Sequence, residues 1–217
     1  MKKKEIRIPN YTLKEELINS ISHGAGALLS IWALVMIIIK SSKSGALSIV
    51  CVTLFGTTMV LLYTMSCIYH ALSKNIGAKK VFRVLDHCNV FLLVYGTIIP
   101  VCLVGIGGVY GWVFFAIVSL VTALGITLSA IDIDRFQVLE VICHLINGWS
   151  VLFFSKLLIN NAGINCLILL ILGGIMYSAG SILYSIGSNK KYFHSIFHFF
   201  CLFGTILHYL AIYLYII

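Results

Sequence analysis

His194 and His198 stand four residues apart, a spacing that puts both imidazoles on one helix face, where they can point at a single ion. Two interface histidines hydrogen-bonded to neighbours would show the same spacing, and for this pair alone the two readings weigh equally. His70 closes a separate apolar run, and its company tips the balance toward metal. Three neutral imidazoles leave a zinc ion one position open for chemistry, so Zn2+ is the expected cofactor and His70, His194 and His198 the expected ligands. Asp86 is the expected base or orienting carboxylate. Ser195 stands where an HExxH motif has glutamate, so the base must come from another helix. Ser66 precedes His70 by four residues, on the same face and about 6 Å away along the axis, where it can donate to a substrate carbonyl. A serine bonded back to its own helix would fit Ser66 alone equally well.

The other polar residues carry weaker signals. His87 follows Asp86 directly and so points about 100° away on a helix, which directs it elsewhere than the ion. Glu140 and His144 are spaced as an internal i, i+4 pair, read as structural. His23 and His208 have no ionisable neighbour in sequence and are expected as hydrogen-bonded residues inside a bundle. Seven cysteines occur singly within apolar runs, without a CxxC pair, so they are expected as packing residues rather than a disulfide framework.

The elements that must position these groups are membrane helices. Of 217 residues, 60% are hydrophobic and 10% charged, and the mean hydropathy is +1.05, far too apolar for a soluble domain. Apolar windows predict seven helices at 17–39, 46–70, 82–104, 109–130, 137–159, 164–186 and 193–216, after a short cytoplasmic segment at 1–16. The expectation is an all-α membrane protein, a seven-transmembrane helix bundle forming one domain over 17–217. The net charge of +8 sits in short clusters between apolar runs, which fits membrane orientation and not nucleic-acid binding. With the N-terminus inside, twelve of the fifteen basic residues fall on the inner side and only Lys40, Lys43 and Lys156 outside. That imbalance predicts N-inside and C-outside, which needs an odd number of spans, and it places His70, Asp86, His87, His194 and His198 near the cytoplasmic face.

Local signals refine this picture. Thr12-Leu13-Lys14-Glu15 reads as a capping box opening the first helix. The basic start Met1-Lys2-Lys3-Lys4 lacks a convincing cleavage site after it and is read as retained, and residues 1–10 fit an ordinary disordered tail. Pro100 is expected to kink the third span, and Gly173, Gly174, Ser178, Ser181 and Ser185 to let another helix approach the sixth.

Ser66-x3-His70, Leu85-Asp86-His87, Gly173-Gly174-x2-Tyr177-x2-Gly180 and His194-x3-His198, with Glu16-x2-Asn19-x2-Ser22-His23 near the start, resemble the hemolysin III branch of the progestin and adipoQ receptor superfamily. The likeness covers nearly the whole chain. It implies seven transmembrane helices with the N-terminus inside, zinc held by His70, His194 and His198, Asp86 reaching zinc through water, and Ser66 as the family serine. It also implies a bacterial inner or plasma membrane location, and the long N-terminal domain of the receptor members is absent.

Three function classes follow. Metal, base and access from the bilayer fit a zinc-dependent hydrolase of amide or ester bonds in membrane lipids, similar to the ceramidase-like activity proposed for the superfamily. Zinc that only staples helices fits a non-enzymatic regulator of membrane or lipid homeostasis. A pore-forming cytolytic hemolysin has the least physical support, since no secretion signal is evident.

Overall fold

The computed structural model describes residues 6–186 and 190–217. The basic start at residues 1–4 therefore lies outside the described residues.

Thr12 caps α1 (Leu13–Ser41), its hydroxyl accepting from the Glu15 amide while Glu15 Oε2 accepts from the Thr12 amide at 2.8 Å, the capping box that the motif predicts. The helix thus starts four residues earlier than the apolar pattern alone places it. α2 spans Ala46–Ala71 and α3 Ala78–Pro100. Pro100 brings a change of winding where a kink was expected. Proline has no N–H to donate and its ring crowds the preceding turn, and the chain continues from it as a π-helix over Val101–Ile106 before Gly107, at φ +68°, ends the run.

The next part overturns the seven-helix expectation. Among the described residues six helical runs, not seven, are long and apolar enough to cross a membrane. The segments expected as separate fourth and fifth spans lie in one 55-residue run, Gly108–Ala162. It consists of α4 (Gly108–Trp149), a 3-10 turn at Ser150–Phe154 and α5 (Ser155–Ala162). The stretch Ile131-Asp132-Ile133-Asp134-Arg135-Phe136, read as a connecting loop, contains neither glycine nor proline to end a helix. Helical pairing continues through it, and only Asp132 departs, with φ −159° and ψ 91°. The run bends sharply there, because Asn147 Nδ2 donates to Thr122 Oγ1 at 3.0 Å across 25 residues that a straight helix would hold roughly 38 Å apart. The N-inside, C-outside assignment rested on an odd number of separate spans, so its premise falls with the count.

α6 (Ile164–Ile186) and α7 (Phe193–Ala211, continued by a π-turn at Ile212–Ile216) complete the chain. Successive helices pack side by side, and α7 returns against both α6 and α1 to close the bundle. Gly173 on α6 lies against the His208 ring, and Gly204 on α7 against Tyr177, where any side chain would collide. Phe55, Met59, Tyr63, Leu93 and Phe114 fill the centre. Large apolar residues such as Leu28, Trp32, Leu120 and Phe153 face outward while Glu16, His70, Lys79 and His198 are buried. That inversion suits a hydrocarbon solvent and makes this a multi-pass membrane protein.

Candidate metal centre

One end of the bundle collects the starts of α1, α3 and α7 and the end of α2. Helical spacing puts Glu16, Asn19 and His23 on one face of α1, Ser66 and His70 on one face of α2, and His194 and His198 on one face of α7. These faces meet. His194 Nε2 lies 3.2 Å from His70 Nε2 and 3.1 Å from His198 Nε2. One ligand nitrogen from each of the three rings falls within 4.8 Å of the others.

Proton placement explains why three imidazole edges crowd together. His70 Nδ1 is 2.6 Å from Glu16 Oε2, and an ionised carboxylate only accepts, so Nδ1 carries the proton. The Nε2 lone pair of neutral His70 then points at the other two rings. Two nitrogens bound tetrahedrally to zinc, each about 2.0–2.1 Å from it, sit roughly 3.3 Å apart, close to the spacings seen here. A carboxylate holding the far nitrogen of a ligand histidine is also the usual second layer of a zinc site. The donor set and its spacing fit zinc, and the cluster could hold a metal ion.

Sequence reasoning named Glu16 within the opening motif but gave it no part in this site. Its second oxygen accepts from Lys79 Nζ at 2.8 Å, and Lys79 also donates to the Leu72 carbonyl, so one carboxylate joins α1, α2 and α3. The spacing of Glu16 with Asn19 and His23 was the available signal, but nothing in the sequence paired Glu16 with His70, 54 residues away. Tyr11 was missed too. Its ring stacks on His194 at 4.8 Å and leans on His70 at 5.8 Å, covering the cluster from the chain's N-terminal side. The segment carrying it is tied down: Arg83 donates to the Arg7 carbonyl and to Asp134, the Arg7 amide donates to Asp134, and Lys74 donates to Asn10. Residues 7–12 thus lie across the bundle end rather than trailing from it.

Asp86 and His194 line the same end of a cavity of about 130 Å³ that runs between α3, α4, α6 and α7. Ser66 is buried beside Asp86. Among the described residues its hydroxyl is not bonded back to its own helix and lies toward the Asp86 carboxyl. His87 lies apart from the cluster and pairs through Nδ1 with Glu140 Oε2 at 3.1 Å. The expected Glu140–His144 pair does not form. His144 stacks on Phe91 instead, ring centres 3.7 Å apart, because the facing α3 offers Glu140 a better-placed imidazole than its own helix does. His208 is hydrogen-bonded as expected, through Nε2 to the Leu170 carbonyl at 3.0 Å. His23 is not: both its nitrogens lack partners among the described residues, and its ring stacks on His198 at 3.7 Å.

The fold and this site define a class, a multi-pass integral membrane protein with a buried histidine cluster able to coordinate a metal. Comparison with known proteins narrows it. The family model described as haemolysin-III related matches residues 11–209. The chain is 35% identical over 206 residues to Hemolysin-3 of Bacillus cereus, covering 94% of this chain and 93% of the relative. It is 37% identical over 199 residues to the Hemolysin-3 homolog of Bacillus subtilis strain 168, covering 90% and 91% respectively. The chain belongs to the haemolysin-III related family.

Proposed function

We propose that this protein is a zinc-dependent hydrolase of amide or ester bonds in membrane lipids, with His70, His194 and His198 as zinc ligands, Asp86 as the proton-handling group and Ser66 as a donor to the substrate carbonyl. The observation that carries this is the shared boundary between cluster and cavity: His194 belongs to the one and lines the other, with Asp86 beside it. Zinc bound there supplies Lewis acidity toward a carbonyl and toward water. The rest is work for the chain. His70 is held in the Nδ1–H form by Glu16, which keeps its Nε2 available. Asp86, at the cavity end, takes the proton that water loses on attack and returns it to the leaving group. Ser66, beside Asp86, orients that carboxylate or the bound carbonyl. Tyr11 closes the site against bulk water.

The test is a mass-spectrometric screen of ceramide-like and acyl lipids with purified, zinc-loaded protein. Cleavage that is lost in Asp86→Asn while zinc is retained supports a hydrolase. No cleavage under conditions where a control hydrolase works sinks it. A second reading has its own observation: Glu16 already ties α1, α2 and α3 through His70 and Lys79, and a metal would add α7 to that tie. In that case zinc is structural and the protein a non-enzymatic regulator of membrane or lipid homeostasis. Asp86→Asn would then keep function while His194→Ala loses folded protein. The Bacillus cereus relative is named a hemolysin. A released pore-former here would give defined conductance in lipid bilayers exposed to culture supernatant.

A further inference from the structure

The cavity beside the cluster is long and uneven in polarity. Its wall along α3 and the first residue of the π-helix after it runs from Asp86 to Val101, roughly 22 Å by helical rise. Val90, Val94, Ile98, Leu145 and Leu170 line the cavity together with Thr97, Tyr177, Ser178 and His208, the carboxylates Asp86 and Glu140 lie toward one end, and the described lining holds no lysine or arginine. At that end Glu140 is only half satisfied. Its Oε2 is held by His87 at 3.1 Å, while Oε1 is buried without a partner among the described residues. A buried polar atom left unpaired costs free energy, and a carboxylate oxygen can only accept, so the partner that completes it must be a donor. The 3.1 Å contact of Nδ1 with Glu140 Oε2 orients the His87 ring, whose Nε2 meets the Tyr184 hydroxyl at 3.5 Å among the described residues.

We propose that the His87–Glu140 pair is the recognition site for the primary amine head of a long-chain lipid whose apolar body occupies this cavity. The proposal rests on reading the cavity as the lipid's site, as above. The Oε1 of Glu140, an acceptor without a partner among the described residues, selects a head that carries N–H groups over a fatty-acid carboxylate, which at neutral pH has no hydrogen to donate. The apolar walls hold the chain and so fix the head at Glu140, which in turn fixes how far the lipid reaches toward Asp86 and His194. Glu140 is therefore a specificity residue and His87 its positioning residue.

The probe is hexadecylamine, compared with hexadecyltrimethylammonium, which has the same chain and charge but no N–H. Of the three tryptophans only Trp149 lines this cavity, so Trp32→Phe/Trp112→Phe protein in detergent reports binding through its emission. The expected result is saturable binding of the amine, about tenfold tighter than the trimethylated analogue. Glu140→Leu should remove that preference and leave zinc content unchanged. Should Glu140→Leu fail to fold, the two-ligand comparison on protein with native Glu140 still decides. Equal affinity for the two ligands, or no saturable binding, overturns the proposal. Repeating the titration on chelator-treated protein separates the two claims: discrimination that persists in protein never found to hold zinc would sink the hydrolase and leave the amine site standing.

Discussion

Two imidazole–carboxylate pairs, His70–Glu16 buried and His87–Glu140 partly buried, differ in what the far side of the imidazole sees. In His70–Glu16 the contact is 2.6 Å, and the opposite ring nitrogen faces two further imidazole nitrogens. In His87–Glu140 the contact is 3.1 Å, and the opposite nitrogen faces one phenol at the limit of hydrogen bonding. The carboxylate does the same job in both, fixing which nitrogen carries the proton. What makes a metal centre is convergence of other donors on the remaining nitrogen, and among the described residues the α2–α7 junction alone provides that.

The comparison can be broken by substitution, beginning where the effect should be largest. His194→Ala removes a donor lying within 3.2 Å of both the others and should reduce bound zinc to background by elemental analysis. Glu16→Gln leaves the three donors and loosens one, so zinc affinity should fall about 10–100-fold by competition with a chromogenic chelator. Glu140→Gln should leave that affinity unchanged, and a matching drop would show that the two pairs are not distinct. Tyr11→Ala uncovers the cluster and should speed zinc loss to a chelator several-fold while the equilibrium affinity moves less. The smallest effect concerns the element that carries Glu16. Thr12→Ala removes the α1 cap and should cost about 1 kcal/mol in detergent unfolding.

Spacing along single helices made part of this site legible. Ser66 with His70, and His194 with His198, share faces because 3.6 residues make a turn, and the Thr12–Glu15 box marked where α1 begins. Relations between helices were not legible, since nothing in a linear pattern says which faces meet. Glu16 reaches His70 across 54 residues, and Glu140 chooses His87 on α3 over His144 on its own helix. Apolar length also failed to count helices correctly. A polar interval such as Asp132–Arg135 looks like a loop, yet without glycine or proline the backbone kept its helical pairing and bent at one residue. The sorting of basic residues inherited that error, because alternation of sides assumes that every polar interval separates two spans.

One zinc held jointly by His70, His194 and His198 makes a stoichiometric prediction. Purified protein in detergent, freed of loosely bound metal, should carry one zinc per chain, and His198→Ala purified alongside it should carry none while remaining monodisperse. A chain without stoichiometric zinc, or a His198→Ala variant that keeps it, would contradict the claim.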